Sequence, residues 1–306
     1  MLGSGGLANL LNASTQIICV EMGKIVDIIK LTRIEHSFML VIAVIAAEVL
    51  AGKLPAAQPL ALSIITPIFI SMGAFAINDY FDIEADRINK KSRPLVHGSL
   101  KPRDALAVTF ASMAIGIIAS VFINAYCFAI AVMFAVLSVL YSYKMKNMLI
   151  LGNAYIAASM AISFIFGSYA VSDKLGVAVL LIIAMIFASG LAREIDGTVR
   201  DMEGDVKARK VRTLPVVIGV KSSSAVAFFL YIIAIAVTLY LFFMVPPFLY
   251  NMYYGILIVI SDIMVFNSAV IFLLGEKNRY TRARNVSLGG MGLALIAILI
   301  GSLVYI

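Results

Sequence analysis

The chain is poor in the residues that most often build soluble sites. It has two cysteines and two histidines in 306 residues. Cys19 and Cys127 stand far apart and offer neither a disulfide framework nor a metal-ligand spacing. His36 and His97 are also widely separated and suggest no metal centre. Charge is scarce as well. Charged residues make up 13% of the chain and hydrophobic ones 62%, against about 25% charged in an ordinary soluble domain. That balance belongs to a polytopic membrane protein. The net charge of +7 would suggest nucleic acid in a soluble chain, but the placement of the basic residues favours membrane topology.

Residues 1–15 are small, Gly-rich and uncharged, and lack the basic n-region of a signal peptide. They read as a poorly ordered or surface-lying start. Residues 16–33 mix isoleucines with Glu21, Lys24, Asp27, Lys30 and Arg33, which predicts an amphipathic helix in the interface. Residues 1–35 therefore read as an N-terminal segment and 36–306 as the transmembrane domain. Nine apolar stretches follow, near 36–54, 60–80, 104–123, 125–143, 149–171, 175–196, 222–244, 250–274 and 286–306. Each approaches the roughly 20 residues that cross a bilayer as a helix. Breaks at Asn124 and Pro246-Pro247 split runs too long for one span. With these boundaries, 22 of the 24 basic residues fall on one side, and only Lys53 and Lys174 on the other. The positive-inside bias puts the N-terminus and the charged loops in the cytoplasm. The expectation is an all-α integral protein of the cell membrane, nine helices around a central cavity, with helical cytoplasmic loops capping the site.

Two acidic clusters lie on that side. Asn78, Asp82 and Asp86 are spaced i, i+4, i+8 and share one face of a helix leaving the second span. Asp201 and Asp205 repeat the pair after the sixth span. A constant offset of 119 positions also brings Lys91 onto Lys210 and Arg93 onto Arg212. Like charges at i, i+4 repel, so such an arrangement needs a cation. Hard carboxylate oxygens suit Mg²⁺, which takes one or two carboxylates and completes its shell with phosphate oxygens and water. Lys91, Arg93, Lys210 and Arg212, with Tyr141, Lys144 and Lys146, can carry the remaining phosphate charge. A polar cradle above an apolar cavity favours ionisation of an allylic diphosphate, with water kept from the carbocation. A solvated loop is the ordinary reading of either cluster alone; their in-phase repetition argues against it. Glu48 and Asp262 fall inside spans and read as structural hydrogen-bonding groups.

Asn78-Asp79-x-x-Asp82-x-x-x-Asp86, followed by Asn89-Lys90 and Arg93-Pro94-Leu95, resembles the first signature of the UbiA-type intramembrane prenyltransferases. Asp201-Met202-Glu203-Gly204-Asp205, with Lys207 and Thr213-Leu214-Pro215, resembles the second, and Tyr141-Ser142, Lys146 and Gly152-Asn153 match a stretch between them. The resemblance implies a Mg²⁺-dependent transfer of a prenyl group from an isoprenyl diphosphate to a lipophilic acceptor. It implies metal binding by Asn78, Asp82, Asp86, Asp201 and Asp205, and diphosphate binding by Arg93, Lys146, Lys210 and Arg212, to which the placement of the basic residues adds Lys91. Asp82, Asp201, Lys146 and Tyr141 stand as the catalytic set. No nucleic acid and no obligate protein partner are implied.

Ala192-Arg193-Glu194-Ile195, Arg284-Asn285 and the Ile300-Gly301-Ser302-Leu303 ending look most like the archaeal geranylgeranylglyceryl-phosphate geranylgeranyltransferases. One departure stands out: Gly197-Thr198 replaces the usual Lys-Asp, with Asp196 just before it. On a continuous helix Asp196 points about 140° away from Asp201, so it substitutes only if the helix breaks at Gly197. An aromatic acceptor of quinone biosynthesis therefore remains an alternative. A transporter with an acidic vestibule is the alternative of another class, disfavoured because the charges cluster at one surface rather than mid-membrane.

Overall fold

The computed structural model describes residues 23–52, 56–88, 91–209 and 213–304, the side chains of residues 147 and 203–209 excepted. Every regular element among them is helical, because a chain in hydrocarbon must satisfy each backbone N–H and C=O within its own segment. Residues 23–32 form α1, followed by α2 (Ser37–Leu50), α3 (Ala57–Phe81), α4 (Ile83–Ile88) and α5 (Pro94–His97). Next come α6 (Pro102–Val121), α7 (Ala125–Tyr143), α8 (Leu151–Val171), α9 (Val177–Arg209) and α10 (Leu214–Ile218). The chain closes with α11 (Val220–Met244), α12 (Met252–Leu273) and α13 (Tyr280–Leu303).

Eight of these, α3, α6 to α9 and α11 to α13, are long and apolar enough to cross a membrane. The first expected span is shorter than its apolar run. Its 14 helical residues in α2 rise only about 21 Å, less than the roughly 30 Å of hydrocarbon. Both ends explain this. Arg33 takes a left-handed conformation, the next turn (Ile34–His36) is a tight 3₁₀ one, and Gly52 at φ +84° stops the far end. The two breaks read from the sequence are tight turns. Asn124 caps α7 by accepting from the Cys127 N–H at 2.9 Å and donates to the Tyr169 carbonyl at 2.7 Å. Asn251 caps α12 after the Pro246-Pro247 turn and ties it to α13 through the Gly301 carbonyl.

Packing closes a ring in which α13 meets α2, α2 meets α8, and α9, α11 and α12 follow in turn back to α13. α3 joins through α2 and α7, and α6 packs on the outer side of α3. The ring encloses a cavity of about 570 Å³ lined from α2, α3, α7, α8, α9, α11, α12 and α13. At the end away from Asp82 and Asp201, Phe164, Ile182, Leu241, Phe248, Tyr254, Ile258 and Ile298 are fully buried in one cluster and close the bundle. Close approach of α8 to α2 depends on Gly167, where a Cβ would fall 2.6 Å from the Val44 carbonyl oxygen. Gly167→Val is therefore expected to cost about 1–3 kcal/mol and to lower the melting temperature followed by circular dichroism in detergent. Gly176→Ala, where nothing lies within 4 Å, is the matched control and should leave the melt in place.

Candidate active site

The site begins where α3 runs out. Asp82 caps α3, its N–H bonding the Asn78 carbonyl at 3.0 Å, and α4 resumes at once with the Asp86 N–H on the Asp82 carbonyl at 2.7 Å. The turn is slight, so Asn78, Asp82 and Asp86 stay in near-helical sequence. Asp79 and Asp86 are 2% exposed and Asp82 is 8% exposed. Three carboxylates this close and this buried require cations.

Four basic side chains supply them. Asp79 accepts from Arg33 Nη2 at 2.5 Å and from Arg93 Nη1 at 2.9 and 3.1 Å. Arg93 also approaches Asp86 through Nε at 3.4 Å, and Lys91 Nζ lies 3.0 Å from the same carboxylate. Lys146 Nζ donates to Asp82 at 2.8 Å and sits 6.0 Å from the centre of the Phe81 ring. Local chemistry aims each one. Pro94 holds Arg93 extended, as a residue before proline prefers, which turns its side chain back on α3. Arg33 reaches Asp79 from a left-handed backbone, φ 46° and ψ 48°, a conformation that costs energy outside glycine and is held here by the ion pair. Burial lowers the Arg33 pKa from its usual value, while the Asp79 charge opposes the shift. Lys146 lies on the short turn Met145–Asn147, and Gly152 lets α8 start against it: a Cβ there would lie 3.2 Å from Lys146 Cα.

Asn78, Tyr141 and Ser142 reach from this acidic mouth into the cavity below. Tyr141 stacks on Tyr155 at 4.5 Å between ring centres, and Tyr155 on Phe134 at 5.6 Å, so an aromatic wall lies just under the charges. Farther down the lining is apolar, with Ile70, Phe164, Met185 and Ile298. Asp262 is one of the few ionisable groups there; it accepts from Thr238 Oγ1 at 2.8 Å, the structural role expected of it. Glu48 is fully buried.

The second motif rides on α9, which touches α4. Asp201 stands at its rim, with half of its side chain exposed, and takes two hydrogen bonds from Arg200 at 2.7 and 2.6 Å. The Asp205 side chain, Lys210 and Arg212 lie outside the described residues. The helix does not break at Gly197: α9 is continuous from Val177 to Arg209. Asp196 is accordingly 1% exposed and absent from the cavity lining, so it does not stand in for the missing acid. Thr198 satisfies its own hydroxyl on the Ile195 carbonyl at 2.7 Å.

The donors fit a hard divalent cation. Asp82 and Asp86 offer buried carboxylate oxygens about one and two turns beyond the cavity-lining Asn78, each paired with a lysine, Lys146 and Lys91, that a metal ion could replace. Among the described residues there is no group of three metal-binding side chains; Mg²⁺ needs one or two carboxylates and fills its shell with other oxygens. Sequence reasoning treated Asp79 as part of the motif but not of the site, and assigned no site role to Arg33, in the amphipathic segment, or to Arg193, in the family-like stretch Ala192-Arg193-Glu194-Ile195. Arg33 holds Asp79, and Arg193, with Glu194 and Arg284, lines the cavity wall. A lone arginine ending an amphipathic helix, and an Arg-Glu pair inside an apolar span, were the available signals.

Residues 39–304 match the UbiA prenyltransferase family. The digeranylgeranylglyceryl phosphate synthase of Archaeoglobus fulgidus is 34% identical over 279 residues, covering 89% of this chain and 94% of the relative. The solved structure of a digeranylgeranylglyceryl phosphate synthase superposes with a TM-score of 0.74 at 29% identity, covering 91% of this chain and 98% of the other. A UbiA homologue from Archaeoglobus fulgidus, solved with DMAPP and Mg²⁺, shares the fold with a TM-score of 0.63 at 19% identity, covering 89% and 99%.

Removing the Asp79 charge leaves two guanidiniums facing a neutral amide in a buried setting. Asp79→Asn is expected to cost about 3–5 kcal/mol, read as a loss of thermal stability in detergent. Arg279→Ala breaks the Glu276 pair, whose side chains are 56% and 37% exposed, and should change stability by less than about 1 kcal/mol.

Proposed function

The chain belongs to the UbiA prenyltransferase family, and on that premise we propose that it transfers a geranylgeranyl group from geranylgeranyl diphosphate to geranylgeranylglyceryl phosphate. The product is digeranylgeranylglyceryl phosphate, a precursor of archaeal ether lipid. The observation that carries this reading is the placement of buried Asp82 and Asp86 just beyond Asn78, which lines an apolar cavity of about 570 Å³. The names of its relatives supply the acceptor.

In this mechanism the diphosphate lies across the mouth, between α3–α4 and the end of α9. Asn78, Asp82, Asp86, Asp201 and Asp205 would hold Mg²⁺, which would supply positive charge to the leaving group. Lys91, Arg93, Lys146, Lys210 and Arg212 meet phosphate oxygens. In the described arrangement Lys146 and Lys91 are already at the carboxylates of Asp82 and Asp86, so they need only shift their hydrogen bonds to an arriving phosphate. The prenyl chain extends down into the apolar lining. The bond from C1 of the donor to the bridging oxygen breaks, and pyrophosphate leaves with the electron pair. The aromatic wall of Tyr141 and Tyr155 faces the developing allylic cation. The acceptor hydroxyl oxygen bonds to C1 and its proton is released. Enclosure keeps water from competing for the cation.

The topology follows from the same reading. α2 and its flanking turns make the ninth crossing, and the basic loops and acidic mouth face the cytoplasm.

An assay of purified protein with Mg²⁺ and geranylgeranyl diphosphate tests the proposal, with geranylgeranylglyceryl phosphate, 4-hydroxybenzoate and a dihydroxynaphthoate as competing acceptors. Mass spectrometry should find the diether phosphate. Asp82→Ala and Asp201→Ala should each lower kcat/KM roughly 100-fold or more, and a chelator should stop turnover until Mg²⁺ is returned. A prenylated aromatic product with no diether, or full activity in both variants, would falsify the reading.

A further inference from the structure

Two helical turns from Asp201, about 12 Å back along α9, the cavity wall carries charge that the acidic mouth does not use. Arg193 on α9 and Arg284 on α13 both line the cavity, beside Glu194. Arg193 is 8% exposed. Its Nη1 donates to Glu194 Oε1 at 3.0 Å, and its Nε is buried without a hydrogen-bond partner. Arg284 Nε is also buried and without a hydrogen bond, and Glu194 and Asp201 act on Arg284 only through longer-range attraction. Gly197 lies beside it: a Cβ there would make an ordinary contact with Arg284 Nε, at 3.8 Å.

Two guanidiniums against one carboxylate leave an excess positive charge in a largely apolar wall. Arg193 is buried but shares its one carboxylate with a half-buried Arg284, and the Nε of each is left unsatisfied, so the pair can accept an anion that arrives from the cavity. The planar forks of two arginines match the oxygens of a phosphate. The donor diphosphate is an unsuitable occupant, because its cations and carboxylates already stand two turns away at the mouth. We infer that Arg193 and Arg284 seat the phosphomonoester of the acceptor lipid inside the cavity, with Glu194 positioning Arg193. This rests on the glyceryl phosphate reading of the acceptor and adds to it the residues that select it. The seat holds the acceptor by its phosphate end, so the hydroxyl on the neighbouring carbon is presented towards the mouth. An acceptor without the phosphate leaves both guanidiniums unpaired and is rejected on that ground.

The test compares geranylgeranylglyceryl phosphate with its dephosphorylated alcohol, geranylgeranylglycerol, using the full-length protein in detergent with Mg²⁺ and geranylgeranyl diphosphate. Arg284→Gln should raise the KM for the phosphorylated acceptor roughly 10- to 100-fold, with the donor KM moving far less. The preference for phosphate over alcohol should collapse by a similar factor, and Arg284→Lys should recover part of it. An equal rise in donor KM, or an unchanged phosphate preference in Arg284→Gln and Arg193→Gln, overturns the seat. Equilibrium binding of the two radiolabelled acceptors without donor keeps the two ideas separable. Phosphate-dependent binding that Arg284→Gln weakens, without ether product in the wild type, supports the seat and defeats the transferase reading. Equal binding of phosphate and alcohol by the wild type defeats the seat whatever the turnover.

Discussion

Negative charge held out of water is the constraint around which this protein is arranged. Asp79, Asp82 and Asp86 are buried at the junction of α3 and α4, where a carboxylate left without a partner would be costly. The molecule answers by bringing basic side chains from three separate stretches: Arg33 before the first helix of the bundle, Lys91 and Arg93 after α4, and Lys146 between α7 and α8. Those pairs tie the ends of distant helices into one rim. They also leave the rim ready to exchange internal ion pairs for metal and phosphate, since every partner present is a group that binds one or the other.

Beneath the rim the opposite requirement holds. An allylic cation survives only where water is excluded, and a long prenyl chain gains free energy only by leaving water. The ring of helices meets both demands by approaching closely on its outer seams, through small residues such as Gly167, while standing apart at the centre. The bulky cluster around Phe164, Leu241 and Tyr254 stops the far end. Polar and apolar functions are thus divided along the helix axes, charges at one end and packing at the other. Two departures lie partway down the apolar part: Asp262, held by Thr238, and the pair Arg193 and Arg284 beside Glu194.

Much of this was legible in the chain itself. Long apolar runs, polar breaks at Asn124 and Pro246-Pro247, and basic residues confined to alternate loops mark out the helices, because hydrocarbon leaves a backbone so few alternatives. The acidic motifs stood out because carboxylates are scarce in such a chain and their spacing recurs. The first span was over-read: its hydrophobicity runs past Leu50, but a left-handed turn at Arg33 and a glycine at position 52 confine the helix to Ser37–Leu50. Asp196 shows what the helical period can do alone. Its angular offset from Asp201 excluded it from the site on a continuous helix, and the helix is continuous through Gly197.

Residue type and spacing along single helices determined the membrane class, the two acidic motifs and the reaction chemistry they suit, because periodicity and charge are local properties of a chain. Only the tertiary structure decided which cations answer which acids. Arg33 and Asp79 are 46 positions apart and Lys146 and Asp82 are 64 apart, and both pairs form at hydrogen-bonding distance. It also decided that Arg193 and Arg284, which the sequence marked only as parts of family-like stretches, face the cavity together. Contacts between distant stretches depend on how helices pack, and packing is set by the whole bundle at once.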